Sequence, residues 1–256
     1  MASWGAMFPI LFEVPGLGWP VTSFGVLVAA GFLASWRIIA WRFGELGVNQ
    51  AQADAVLLYC IIGGLLGSKL YYAVDTWLLT GAPFLPGLLG RGGITWYGGL
   101  IGGALLAGFA MHRRGVPFAL ASDAVALAAP FGQALGRVGC FLVGDDWGRR
   151  TDLPWGVAFP KGLDPVEWPV HPTQLYEVAW LLPVGLWLLR RRHNSAFLFG
   201  EYLILAAAGR FVIEFFRVNT PVALGFTEAQ WIALLLAALG TGGLIWRRRA
   251  ARTGSG

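Results

Sequence analysis

Seven apolar stretches, Val21–Trp41, Ala55–Leu79, Ile94–Met111, Phe118–Val143, Gln174–Leu189, Phe197–Phe216 and Ala229–Trp246, account for most of this sequence. A helix needs roughly 17–25 apolar residues to cross the hydrocarbon of a bilayer, and each block is close to that length. Inside lipid the backbone amides must bond within their own segment, so such blocks fold as helices. The expectation is an all-α, polytopic membrane protein, one transmembrane domain over residues 1–256 with about seven crossings. Charged residues make up 13% of the chain, about half the roughly 25% of a soluble domain, which argues against a water-soluble fold. Cys60 and Cys140 both sit inside apolar blocks, so no disulfide framework is expected.

Basic residues in short connections stay on the cytoplasmic side. Arg37 and Arg42 end the first block, Arg113 and Arg114 follow the third, Arg190, Arg191 and Arg192 follow the fifth, and Arg247, Arg248, Arg249 and Arg252 follow the seventh. The opposite connections carry Arg91, Arg149, Arg150 and Lys161. This asymmetry predicts an N-terminus outside and a C-terminus inside. The net charge of +5 is then a topological signal, and no interleaving of basic and aromatic residues points to nucleic acid. The longest connection, 144–173, faces outward in this arrangement, and its Trp and Pro content predicts an ordered cap.

Charges within the apolar blocks are costly unless paired or hydrated, and they mark function by default. Lys69, Arg137, Arg210 and Glu214 are of this kind. Lys69 is the weakest candidate, because a lysine can snorkel toward the interface. Arg210 and Glu214 stand four residues apart and share a helix face. With the predicted orientation, Arg137 lies at a similar depth on the fourth helix, about two turns below the outer loop. Two guanidinium groups and a carboxylate would therefore converge beneath the cap, and a planar guanidinium suits a phosphodiester because it donates two parallel hydrogen bonds and keeps its charge when desolvated. The run His171-Pro172-Thr173-Gln174-Leu175-Tyr176-Glu177 opens the fifth helix with an imidazole, an amide, a phenol and a carboxylate; Thr173 is the expected N-cap. The glycine patches Gly63–Gly67 and Gly98–Gly103 fit close helix packing. Three scattered histidines give no metal-ligand spacing.

The motifs resemble the prolipoprotein diacylglyceryl transferase family of bacterial inner membranes. The resemblance runs from about Phe24 to Arg217. It is carried by Gly92-Gly93-Ile94-Thr95-Trp96-Tyr97-Gly98-Gly99-Leu100-Ile101-Gly102, by Gly136-Arg137-Val138-Gly139-Cys140-Phe141-Leu142-Val143-Gly144-Asp145-Asp146-Trp147-Gly148-Arg149, by His171 through Glu177, and by Gly209-Arg210-Phe211-Val212-Ile213-Glu214-Phe215-Phe216-Arg217. The resemblance implies transfer of a diacylglyceryl group from phosphatidylglycerol to the lipobox cysteine of a prolipoprotein peptide. A multi-pass monomer with no cofactor and no metal would carry it out at the outer face of the inner membrane. It implies catalytic roles for Arg137, Arg210, Tyr97, Asp145 and Glu214. Substrate binding would fall to the two arginines with Gly98, Gly99, Gly144, Arg149, His171, Gln174, Tyr176 and Glu177. Cys140 and Val143 stand where the family has Asn, Tyr97 where it commonly has His, and Phe24 and Ala206 at Tyr positions. Those departures leave open a divergent member serving another acceptor, and a non-catalytic binder or transporter of an anionic lipid.

Overall fold

The computed structural model of the protein describes residues 8–16, 18–90, 95–193, 195 and 197–253. In chain order the elements are β1 (Ile10–Val14), β2 (Trp19–Thr22), α1 (Ser23–Glu45), α2 (Gln50–Thr80), α3 (Phe84–Leu89), α4 (Trp96–Arg114), α5 (Phe118–Val143), β3 (Val157–Phe159), β4 (Val166–Val170), α6 (Thr173–Arg191), α7 (Leu198–Ile213), a 3-10 turn at Glu214–Phe216, and α8 (Glu228–Thr253). Every apolar block of the sequence falls on a long helix. By length and composition α1, α2, α5 and the Glu228–Ala250 part of α8 are long and apolar enough to cross a membrane. Their many exposed Leu, Ile, Phe and Trp side chains, such as Leu66, Leu79 and Trp246, fit a lipid-facing surface.

Two short antiparallel hairpins, β1 with β2 and β3 with β4, accompany the helices. Neither was expected from the hydropathy pattern, because strands of three to five residues are too brief to register against blocks four times as long.

The chain forms two compact units, Met1–Ile38 with Asp123–Gly256, and Ile39–Ser122. In the second unit α2 and α4 approach through glycine. A Cβ on Gly63 or Gly67 would run into the carbonyl oxygens of Gly102 or Gly98, so any larger residue would force the helices apart. The contact is sealed by a reciprocal pair: Ser68 Oγ donates to the Thr95 carbonyl at 2.9 Å and Thr95 Oγ1 donates to the Ser68 carbonyl at 3.1 Å. At its start α2 is closed by a capping box between Asn49 and Gln52, which satisfies two otherwise orphaned amides. Lys69 donates to the Gly90 carbonyl, a structural use for the weakest of the four intramembrane charges.

In the first unit α5, α6 and α7 share a core of Ala126, Leu127, Val184, Leu188, Leu198 and Tyr202. Gly209 on α7 faces the Trp180 indole of α6 so closely that a Cβ there would collide with the ring, and Trp180 Nε1 donates to the Leu205 carbonyl at 2.9 Å. This close approach sets the distance between the polar ends of the two helices.

The 144–172 connection has a small core of its own: Val157, Phe159, Val166 and Val170 are buried, with Phe141 and Trp147 against them. Trp147 Nε1 donates to the Asp164 carbonyl at 2.9 Å and Leu163 N to the Val143 carbonyl at 2.7 Å, tying the hairpin to the end of α5. The connection is thus folded, as its Trp and Pro content predicts.

Candidate functional site

Arg137 lies in the penultimate turns of α5, six residues before its end, and Arg210 in the last turn of α7. Both converge on Glu177, in the first turns of α6: Arg137 Nε is 2.6 Å from Glu177 Oε2 and Arg210 Nη1 is 3.1 Å from Oε1. Arg210 Nη2 also lies 2.9 Å from Glu214 Oε2, the i,i+4 pair expected from the sequence. The 3-10 turn then brings Arg217 in, with Nε 3.7 Å from Glu214 Oε2 and Nη1 3.8 Å from Glu177 Oε1. Asp146 closes the figure, since its Oδ2 is 2.6 Å from Arg137 Nη1 and its Oδ1 is 2.6 Å from Arg217 Nη2. The result is a ring in which cations and anions alternate: Arg137, Glu177, Arg210, Glu214, Arg217, Asp146 and back to Arg137.

The local backbone explains how the sequence builds this ring. Helix α5 ends where Gly144 turns into the left-handed region, φ +71°, and its amide and that of Asp145 bond back to the Cys140 carbonyl at 3.0 and 3.2 Å. Asp146 is itself left-handed at φ +62°, a conformation that Asp adopts more readily than most residues. This double turn sends the Asp146 carboxylate onto the arginines. Two fully buried side chains from the start of α6 fix it there: Gln174 Nε2 donates to the Asp145 carbonyl, and Thr173 Oγ1 to the Asp146 carbonyl at 2.9 Å. Thr173 is accordingly the first residue of α6 and not its N-cap, a position held by Pro172 without a side-chain bond. The expected cap was a local solution; the hydroxyl is used instead for a tertiary bond across 27 positions of chain.

Asp145 does not join the ring. Among the described residues no cation stands within ion-pair distance of it, its Oδ1 is buried without a hydrogen-bond partner, and burial pushes its carboxyl above the ordinary range. Asp146 behaves oppositely. Although burial works against its charged form, the guanidinium groups of Arg217 and Arg137 hold its carboxyl below the ordinary range. Glu214 is wholly buried, and its Oε1 accepts from Asn219 Nδ2 at 2.7 Å and Thr227 Oγ1 at 2.9 Å.

Next to the ring, His171 and Tyr176 pack on Phe216, with ring centroids 5.1 and 5.9 Å from it. Tyr176 Oη accepts from Trp155 Nε1 at 2.8 Å and lies 3.0 Å from His171 Nδ1. With its lone pair engaged by the indole, the phenol is free to donate its proton to Nδ1, leaving Nε2 to carry the imidazole proton. Burial moves the His171 imidazole below its ordinary value, favouring this neutral form. Arg149 is an exposed residue, and its Nε donates to the Arg217 carbonyl at 2.9 Å. It therefore braces the loop behind the ring.

Of the residues singled out in the sequence, Arg137, Arg210, Glu177 and Glu214 come together directly. Gly144, Gln174 and Arg149 shape the backbone around them, and His171 and Tyr176 stand in the adjoining aromatic cluster. Gly98 and Gly99 belong to the other compact unit, where they pack on α2. The Tyr97 side chain lies outside the described residues. Sequence reasoning missed Arg217 and Asp146. Arg217 was recoverable, since it stands three residues after Glu214 and seven after Arg210 on one helical face. Nothing local distinguishes Asp146 from Asp145, because the choice depends on the left-handed turn.

Helices suited to a bilayer, with a partly buried polar ring beside a folded loop, define an integral membrane protein with a site between its helices. A profile described as prolipoprotein diacylglyceryl transferase matches residues 9–246. The chain belongs to that family. The phosphatidylglycerol--prolipoprotein diacylglyceryl transferase of Aromatoleum aromaticum is 34% identical to it over an alignment of 257 residues, covering 91% of this chain and 93% of the relative. The proteins of the same name from Rhizobium meliloti and Nitratidesulfovibrio vulgaris are each 32% identical, covering 88% and 82% of this chain and 85% and 82% of their own.

Proposed function

We propose that this protein transfers the diacylglyceryl group of phosphatidylglycerol to the lipobox cysteine of a prolipoprotein. The observation that carries the reading is the convergence of Arg137 and Arg210 on one carboxylate. Two guanidinium groups from separate helices, held a carboxylate's width apart, are preorganised for a second anion of similar shape. In the reaction the cysteine thiolate attacks the glyceryl carbon bound to the phosphodiester oxygen. A C–S thioether bond forms, the C–O bond breaks with its electron pair going to oxygen, and glycerol phosphate leaves. The leaving phosphate carries one more negative charge than the diester, and Arg137 and Arg210 stabilise that charge as it develops. Arg217 would share it. The thiol proton passes to a base.

Seven crossings with the N-terminus outside would place the ring in the outer half of the bilayer, beneath the folded 144–172 connection and open to a secreted precursor. In a bacterium this is the inner membrane, and the reaction as drawn needs one copy of the chain. The basic residues at the ends of α1, α4, α6 and α8 support this orientation.

The test is the purified protein with labelled phosphatidylglycerol and a peptide containing Leu-Ala-Gly-Cys. Lipidated peptide should appear, and Arg137→Ala or Arg210→Ala should reduce it by about a hundredfold or more, the loss typical of a removed transition-state donor. Binding of phosphatidylglycerol without any peptide product would overturn the reading in favour of a lipid-binding protein. Turnover onto a different acceptor would limit it to a divergent transferase.

A further inference from the structure

Asp146 differs from the other two carboxylates of the ring. Its side chain is 42% exposed, against 10% for Glu177 and 0% for Glu214. Its oxygens are held by Arg137 and Arg217, whereas Glu214 is also anchored by Asn219 and Thr227. The backbone around it is clamped independently of the carboxylate, because the Asp145 carbonyl accepts from Gln174 and the Asp146 carbonyl from Thr173 at 2.9 Å and Arg217 Nη1 at 3.1 Å. A side-chain rotation alone would move the carboxylate into water, with the loop staying in place.

The ring is electrically closed as it stands, three guanidinium groups against three carboxylates. A phosphodiester entering it adds an uncompensated negative charge unless a carboxylate withdraws. Withdrawal of Glu177 or Glu214 would leave a buried charge unpaired, which is strongly unfavourable. Withdrawal of Asp146 exchanges two charge-assisted bonds for water and restores neutrality. The seat it vacates has the right form, since one oxygen on Arg137 and the other on Arg217 is the arrangement that the two non-bridging oxygens of a phosphodiester would take.

Resting on the functional reading above for the identity of the anion, we propose that Asp146 is an internal competitor for the phosphate seat: it holds Arg137 and Arg217 in the empty enzyme, yields to the headgroup of phosphatidylglycerol, and so sets the affinity for the lipid. The lowered carboxyl of Asp146 keeps the competitor charged at neutral pH. Asp146 is thereby an affinity-determining residue that need take no part in bond making.

The experiment compares the full-length wild type with Asp146→Asn and Asp146→Glu in nanodiscs, titrating phosphatidylglycerol against a phosphatidylcholine background and measuring binding and KM. Asn tolerates the left-handed backbone and removes the charge. Asp146→Asn should bind phosphatidylglycerol about fivefold more tightly, the release of roughly 1 kcal/mol of competing ion pairing, with KM lowered in step. Asp146→Glu keeps a competing carboxylate and should stay near the wild type. Asp146→Gly, which also accepts φ +62°, should repeat the Asn result. A residue that merely holds the arginines in place would instead weaken binding in every variant, and equal or weaker binding by both Asp146→Asn and Asp146→Gly overturns the proposal. If the wild type does not prefer phosphatidylglycerol to phosphatidylcholine, the functional reading fails. The competition is then read with inorganic phosphate, which Asp146→Asn should still bind more tightly than the wild type.

Discussion

Arg137 on α5 and Arg210 on α7, 73 positions apart in the chain, divide the two oxygens of Glu177 between them at 2.6 and 3.1 Å. Glu177 is therefore the hinge of the ring. Replacing it by Gln leaves two partly buried guanidinium groups facing each other without their shared anion. Loss of one partner of a buried pair costs about 3–5 kcal/mol, and the remaining exposure of these arginines places Glu177→Gln at the lower end. A melting temperature in detergent equal to that of the wild type, with full transferase activity, would contradict this.

Arg217 is the least exposed of the three arginines, at 7%, and it touches all three carboxylates. Arg217→Lys keeps the charge but cannot reproduce a planar fork reaching both the carboxylate and the carbonyl of Asp146. Steady-state kinetics with phosphatidylglycerol should show a loss of about tenfold or more in kcat/KM for Arg217→Lys, and a greater loss for Arg217→Ala. Retention of wild-type kcat/KM in the lysine variant would remove Arg217 from the site.

Gly209 permits the contact between α6 and α7 that brings Glu177 to Arg210. Gly209→Val drives methyl groups into the Trp180 indole, an overpacking that costs about 1–3 kcal/mol. Activity should fall along with stability, because the ring lies at the end of the same helix pair. Gly44, with open space around it, is the control: Gly44→Ala should leave both properties unchanged, and a comparable drop there would show that the Gly209 effect is not one of packing.

The pH dependence of stability follows from the opposite environments of the two neighbouring aspartates. The folded carboxyl of Asp146 lies below its ordinary value of 3.8, so its contribution is complete above that value and is lost as pH falls through the folded one. Asp145, raised by burial, has the reverse sign: its ionised form is disfavoured by folding, and protonation relieves that cost as pH falls through its folded value. The difference in melting temperature between wild type and Asp146→Asn should thus be constant near neutrality and shrink below about pH 4. A difference that grows on acidification would show that Asp146 is not held as an ion by the arginines.

The seven apolar blocks, the asymmetry of basic residues, the glycine patches suited to close helix packing and the Arg210–Glu214 pair could all be read along the chain. Each depends on composition over one helix length or on spacing within one helix, where local geometry leaves few choices. The family motifs likewise pointed to Arg137, Arg210 and Glu177. What tertiary structure decided is who meets whom: that Glu177 bridges two other helices, that Arg217 completes the ring, that Thr173 reaches back to a loop in place of capping its own helix, and that Asp146 rather than Asp145 pairs with the arginines. Those outcomes rest on contacts between residues distant in sequence and on the left-handed residues Gly144 and Asp146, which flank Asp145 just after α5. One reversed turn exchanges the directions of adjacent side chains, which residue identity alone does not encode.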